Sequence, residues 1–184
     1  LPAREGSSAV PFLQGLLGPP DIAKLEARRD VAGLIKALGH KDDRNVRKAA
    51  ADALATVGDL RAVVPLMVTL RDTDAGVREA VAKALGQCGD FRAVHLLVLT
   101  LKDSDWHVRE AAVTALVRIG APAVQLLAAA LRDSDRDVRS RAAWALGEVA
   151  DARAIESIAV AVADVDGHVG RGAAAALVKI GGTR

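Results

Sequence analysis

Apolar residues recur along most of this chain at offsets that fit one stripe of an α-helix, and the stripe itself repeats. Counted from Val46, Val77, Val108, Val138 and Val169, which are spaced 31, 31, 30 and 31 residues apart, the positions at +4, +7, +8 and +11 are apolar in every copy. In the third copy they are Ala112, Ala115, Leu116 and Ile119, and in the fourth Ala142, Ala145, Leu146 and Val149. These offsets fall on a single face at 3.6 residues per turn, which predicts a helix of about four turns with one buried side in each unit. Twelve residues past each valine stands Gly58, Gly89, Gly120, Ala150 or Gly181, where such a helix needs its stop.

A shorter apolar segment precedes each of these helices: Leu34 to Leu38, Ala62 to Leu70, Ala93 to Leu101, Ala123 to Leu131 and Ala154 to Val162. Pro65 and Pro122 lie near the starts of their segments, where a missing amide donor costs least. Helices of two to three turns are marginal alone and gain stability from neighbours, so the unit predicts stacking of helix pairs. Between the two helices come aspartates at −5 and −3: Asp72 and Asp74, Asp103 and Asp105, Asp133 and Asp135, Asp164 and Asp166. The second of each pair is placed to cap the longer helix by accepting hydrogen bonds from its free first-turn amides. The first lies six residues before the arginine at +1, and the two are expected to pair within or between units.

The unit Leu-x-Asp-x-Asp-x-x-Val-Arg-x-x-Ala-x-x-Ala-Leu is followed by Gly-Asp-x-Arg-Ala-Val, complete at Gly89 to Val94. It resembles the short HEAT repeats named after phycobilisome lyases, over about residues 30 to 182. The resemblance implies an all-α fold, an α-solenoid wound as a right-handed superhelix of five HEAT-like helix pairs. It also implies a ladder of aspartate and arginine joining adjacent repeats, which would assign Asp72 to Arg78, Asp103 to Arg109, and Asp133 to Arg139. The expected organisation is an N-terminal segment with a short capping helix at 1–29 and a repeat domain at 30–184. Its units run about 30–59, 60–90, 91–120, 121–151 and 152–182.

Departures from the pattern carry their own expectations. Repeat one has an extra residue and Lys41 where the first aspartate belongs, so its rung is in doubt. Repeat four starts at Gly120-Ala121-Pro122, one residue short, and needs a tighter turn. Repeat five has Gly170 in place of arginine, with Gly167 and Gly172 nearby, and its second helix should be the least stable. Upstream, Pro19 to Glu26 reads as a short helix with Ile22 and Leu25 on one face, suited to cover the open end of repeat one or to serve as a partner-binding arm. The chain starts at Leu1 rather than methionine, as a processed product or a piece of a longer chain would, and residues 1 to about 11 have no expected fold role.

Composition narrows the chemistry. The 184 residues are 51% hydrophobic but only 2% aromatic, with no Tyr, which suits closely packed helices better than a β-sandwich. Twenty-five Lys and Arg against 23 Asp and Glu leave a charge of +2, far from that of a dedicated nucleic-acid binder. Cys88 is the sole cysteine and occupies a +11 core slot, which reads as buried filler and favours an intracellular, cytoplasmic setting. The longest uncharged stretches, Ser7 to Pro20 and Ile119 to Leu131, are shorter than the roughly 20 residues of a membrane span. No motif for phosphate cradling, nucleotide binding or nucleophilic catalysis occurs. The scattered histidines lack metal-ligand spacing, and the His-Glu pairs of HEAT-like deoxyhypusine hydroxylases are missing. No cofactor or metal is therefore expected.

On the side of the longer helix opposite its core stripe, at −2, −1, +2, +3 and +6, residue types vary freely between copies. Both tryptophans fall there, Trp106 and Trp144, together with His107, Glu110, Arg136, Arg141 and Arg171. In related solenoids this face lines the concave surface, and aromatic and arginine side chains are the usual anchors of protein interfaces. The expectation is a non-catalytic scaffold that binds a protein or peptide there. Alternatives are an accessory subunit of a chromophore lyase-type enzyme, or a weak nucleic-acid binder. Six cations against four acids on this face make duplex binding at physiological salt weak. The bland alternative for the tryptophans is that each covers a gap between adjacent helices. Partner identity and oligomeric state are not legible in the sequence.

Overall fold

The computed structural model describes residues 18–182. The segment before Gly18, including residues 1 to 11 with no expected fold role, lies outside the described residues. Eleven α-helices follow in chain order: α1 (Ile22–Ala27), α2 (Val31–Leu38), α3 (Arg44–Val57), α4 (Val63–Thr69), α5 (Ala75–Cys88), α6 (Val94–Thr100), α7 (Trp106–Ile119), α8 (Val124–Ala130), α9 (Arg136–Val149), α10 (Ile155–Ala161) and α11 (Gly167–Gly181). The pairs α2–α3, α4–α5, α6–α7, α8–α9 and α10–α11 are the five repeats. The longer second helices α3, α5, α7, α9 and α11 pack in sequence along one side, so the chain is an α-solenoid.

Each second helix begins as its sequence dictates. Asp43, Asp74, Asp105, Asp135 and Asp166 have extended backbones, and their carboxylates accept hydrogen bonds from first-turn amides. The predicted stops hold at Gly58 and Gly89, both left-handed with φ 66°, and at Ala150, left-handed at φ 54° despite its Cβ. Gly181 is a correction: α11 runs through it and is capped at Gly182, with an ordinary right-handed backbone rather than a left-handed one. At the short fourth repeat, Gly120 ends α7 and also opens the 3-10 turn Ala121–Ala123, merging two roles that separate residues fill elsewhere. Its φ of 72° and ψ of −131° lie in a region open essentially to glycine alone, which is the tighter turn in physical terms.

The core is one continuous layer between first and second helices. The +4, +7, +8 and +11 side chains are buried, save for half-buried Cys88, Val149 and Leu177, and Leu34, Leu66, Leu97, Leu127 and Ile158 meet them from the first helices. Ile22 and Leu25 of α1 are partly buried against this core, and Arg29 donates to the Val57 carbonyl at 2.9 Å to tie the end of α1 to the end of α3.

Small residues set the approach of neighbouring second helices. A Cβ built on Gly86 would stand 2.7 Å from the Ala115 Cα, and one on Gly147 would stand 2.9 Å from the Ala176 Cβ. The backbones of α5 with α7, and of α9 with α11, therefore touch. Gly86→Val should destabilise the chain by about 1 to 3 kcal/mol through overpacking. Urea unfolding checks this, and an unchanged midpoint would mean that the junction yields freely.

Candidate functional site

The arginines at +1 form a ladder, but one register on from the pairing assigned by resemblance. Arg47 grips Asp72 through Nε at 2.6 Å and a second nitrogen at 2.9 Å; Arg78 grips Asp103 at 2.7 and 2.8 Å; Arg139 grips Asp164 at 2.7 and 3.0 Å. Each bidentate pair joins a repeat to the next one, 25 residues away. The Asp72–Arg78, Asp103–Arg109 and Asp133–Arg139 side-chain pairs are corrected accordingly. Those arginines instead donate to the backbone carbonyls of their own repeats' aspartates, at 2.9, 2.7 and 2.9 Å. A guanidinium on the first turn of a second helix thus braces its own loop and reaches forward. The doubt over repeat one is removed by the same geometry, since Arg47 needs no acid at Lys41; its other nitrogen donates to the His40 carbonyl at 3.1 Å.

The rung between repeats three and four is the one that is broken. Arg109 and Asp133 are 24 residues apart because repeat four is a residue short. Lys102 takes Asp133 at 2.9 Å, and the buried Arg109 Nε is left without an acceptor. Among the four junctions between second helices, α7 and α9 are the least closely packed. Bulk contributes as well. Val117 occupies the +9 position held by Gly86 and Gly147 at the tight junctions. Arg141 occupies the +3 slot filled by buried Ala80 and Ala111 in repeats two and three.

The consequence is a groove of about 330 Å³ between α7 and α9, lined by Glu110, Val113, Asp137, Ser140, Arg141 and Trp144. The Arg141 side chain is only 19% exposed at its base, and its guanidinium has Glu110 at 3.7 Å and Asp137 at 3.9 Å, both themselves more than half exposed. Trp144 is 51% exposed and Trp106 57%, so each presents about half of its surface to solvent. Of the residues singled out from sequence, Glu110, Arg141 and Trp144 line this groove. Arg141 is mostly buried rather than free, because +3 faces the neighbouring helix. Trp106 sits one turn away against His107, ring centroids 4.0 Å apart. Arg136 reaches Asp166 at 3.3 Å across to repeat five, and Arg171 lies 3.1 Å from His168 Nδ1. These two belong to the rim of the next junction.

The acids of the ladder are held in their charged form. Burial alone would raise Asp72 and Asp103, but hydrogen bonds from Arg47 and Arg78, the amides of Asp74 and Asp105, and neighbouring charges together bring both below the usual carboxylate value. Hydrogen bonds from Arg139 and Lys102 do the same for Asp164 and Asp133. Outside the ladder, Arg61 and Arg153 hold Asp59 and Asp151 down to about 2. A folded value lowered from the ordinary 3.8 contributes stability above that pH, which is lost as pH falls through the folded value. The thermal midpoint should therefore be level from neutral pH to about pH 5 and fall steeply below about pH 4. A midpoint still level at about pH 3 would show the rungs to be weak solvated contacts.

One surface escaped the sequence reading. The first helices expose Val64, Val68 and Leu99, with Leu60 and Phe91 on the turns before them, and a groove of about 240 Å³ there is lined by Met67, Leu96, Leu99, Lys102 and neighbours. The signal was present in Ala62 to Leu70 and Ala93 to Leu101, which are apolar at every position but Thr69, His95 and Thr100 although such a helix buries only one side. Among the described residues no group of His, Cys, Asp and Glu is placed to hold a metal ion, and no single helix is long and apolar enough to cross a membrane.

The model of the family described as HEAT repeats matches residues 31–98, 63–135 and 124–184 of this chain. Among solved structures, the complex of CpcE and CpcF of phycocyanin lyase from Nostoc sp. PCC7120 is similar at 28% identity, over 98% of this chain and 80% of that one, with a TM-score of 0.55. An engineered protein is 25% identical over 89% of this chain and 85% of its own, with a TM-score of 0.54. A designed armadillo repeat protein in complex with the peptide (KR)4 shares the fold at 20% identity, over 89% and 87% of the two chains, with a TM-score of 0.55. No curated protein matches the chain.

Proposed function

The chain belongs to the HEAT-repeat family, and from that premise we propose that it is a non-catalytic scaffold binding a protein or peptide on the concave face formed by its second helices. The observation that carries this reading is the break in an otherwise regular stack. Regular repeats close their junctions with glycine, alanine and an arginine–aspartate rung. At the repeat three–four junction the rung is missing, larger side chains intervene, and half-exposed Trp144 lines the opening. An exposed indole beside a polar groove is the usual form of an interface anchor. The face as a whole comprises Trp106, His107, Glu110, Arg136, Arg141, Trp144 and Arg171, of which Glu110, Arg141 and Trp144 line the groove. Cys88, the sole cysteine, fits a reducing intracellular setting, and burial, with Asp90 and Asp59 nearby, pushes its thiol up and keeps it unreactive.

A second reading, that of an accessory subunit in chromophore attachment, is favoured by the similarity to the CpcE–CpcF complex over nearly the whole chain. Affinity capture from the source organism, followed by titration of each identified protein against wild type and Trp144→Ala, separates the two. Duplex DNA and a linear tetrapyrrole are titrated in parallel. The scaffold reading expects a protein partner whose affinity falls with the substitution. Saturable binding of the tetrapyrrole, alone or together with a captured protein, would favour the second, and tight salt-sensitive binding of duplex would defeat both.

A further inference from the structure

The electrostatics of the groove between α7 and α9 identify what it takes. Its lining holds two carboxylates and one guanidinium, and the two signs stand at different depths. Glu110 and Asp137 are 54% and 59% exposed, whereas Arg141 beneath them is 19% exposed. A molecule arriving from solvent meets the acids first. Their contacts to Arg141, at 3.7 and 3.9 Å, are too long to be hydrogen bonds, so their oxygens keep free acceptor capacity toward the groove. Arg136, on the rim toward the next junction, is drawn off to Asp166 at 3.3 Å while lying 3.7 Å from Asp137. Counting these five charges together leaves the site at −1. Trp144 adds an exposed aromatic face, the group that most favours a cation laid across it. The volume, about 330 Å³, is near the lower end of ligand sites and suits one or two side chains rather than a folded element.

Resting on the scaffold reading above, we propose that this groove receives an arginine or lysine side chain of a peptide segment. The cation lies over Trp144 with its charge between Glu110 and Asp137. An acidic segment would meet two carboxylates before reaching Arg141, and a purely apolar one would strip water from them without return.

The two tryptophans make the test direct, because their indole N–H signals can be followed separately in a 15N-labelled protein. The probes are the N-acetyl methylamides of arginine, lysine, norleucine and glutamate. Arginine and lysine amides should shift the Trp144 indole saturably, with norleucine weaker by about fivefold or more and glutamate without effect. The double variant E110Q/D137N should abolish the preference for the cations while norleucine still shifts the Trp144 indole, which shows that the groove itself is kept. Added salt should weaken the cationic probes and not norleucine. Equal shifts by norleucine and arginine, a preference for glutamate, or no saturable shift by either cation would each overturn the inference. The scaffold reading fails separately, if an identified partner binds Trp144→Ala as tightly as wild type.

Discussion

Arg78→Ala is expected to lower stability by about 2 to 4 kcal/mol, whereas Arg109→Ala, at the same repeat position, should cost only about 1 kcal/mol. Arg78 and Asp103 are joined by two short hydrogen bonds and are 14% and 12% exposed. Removing the guanidinium strands a largely buried carboxylate and frees the carbonyls of Asp72 and Thr73. Arg109 holds the carbonyls of Asp103 and Ser104 but no carboxylate, so its loss leaves no acid stranded. At about 2 to 4 °C per kcal/mol for a chain of this size, the first variant should melt about 5 to 10 °C lower and the second within a few degrees of wild type. Thermal unfolding followed by circular dichroism measures both. Equal losses would mean that the backbone brace is what matters and that the rung between repeats adds nothing.

Trp144→Ala should separate binding from folding. Its indole lines the groove at half exposure, so deletion leaves no core cavity, and the midpoint should shift by no more than about 1 kcal/mol. Affinity for a partner should fall by about 2 kcal/mol or more, roughly 30-fold, as for a hot-spot aromatic. Trp106→Ala is expected to cost less, because its ring lies outside the groove lining and is engaged with His107. Isothermal titration with the partner, alongside urea unfolding, reads the two quantities independently. If Trp144→Ala unfolds the chain by several kcal/mol, the indole is packing. If affinity ignores both substitutions, binding shifts to the apolar patch of Val64, Val68 and Leu99 on the first helices.

Most of the architecture was legible in the sequence because its causes are local and repeated. The apolar stripe, the aspartate at −3 and the glycine at +12 act within a few residues, and five copies average out the ambiguity of any one. Even the tight turn at Gly120 could be foreseen, since a missing residue changes the count along the chain. Which aspartate each arginine grips was a different kind of question. Asp72 lies six residues from Arg78 and 25 from Arg47, and sequence distance favours the former. Stacking reverses the choice, because an arginine on the first turn of one helix points toward the loop of the next repeat.

The groove follows the same division. The sequence placed Glu110, Arg141 and Trp144 on one variable face, since helical phase is a property of the single helix. It could not show that Arg141 is mostly buried or that α7 and α9 stand apart. Those depend on what the adjacent helix brings to the same slot: Val117 where Gly86 and Gly147 permit contact elsewhere, and 24 residues where a rung spans 25. Local pattern determined the helices and the faces they present. Only the packing of one repeat on another decided where the stack closes and where it leaves a groove, because that gap is set by pairs of residues that meet in space alone.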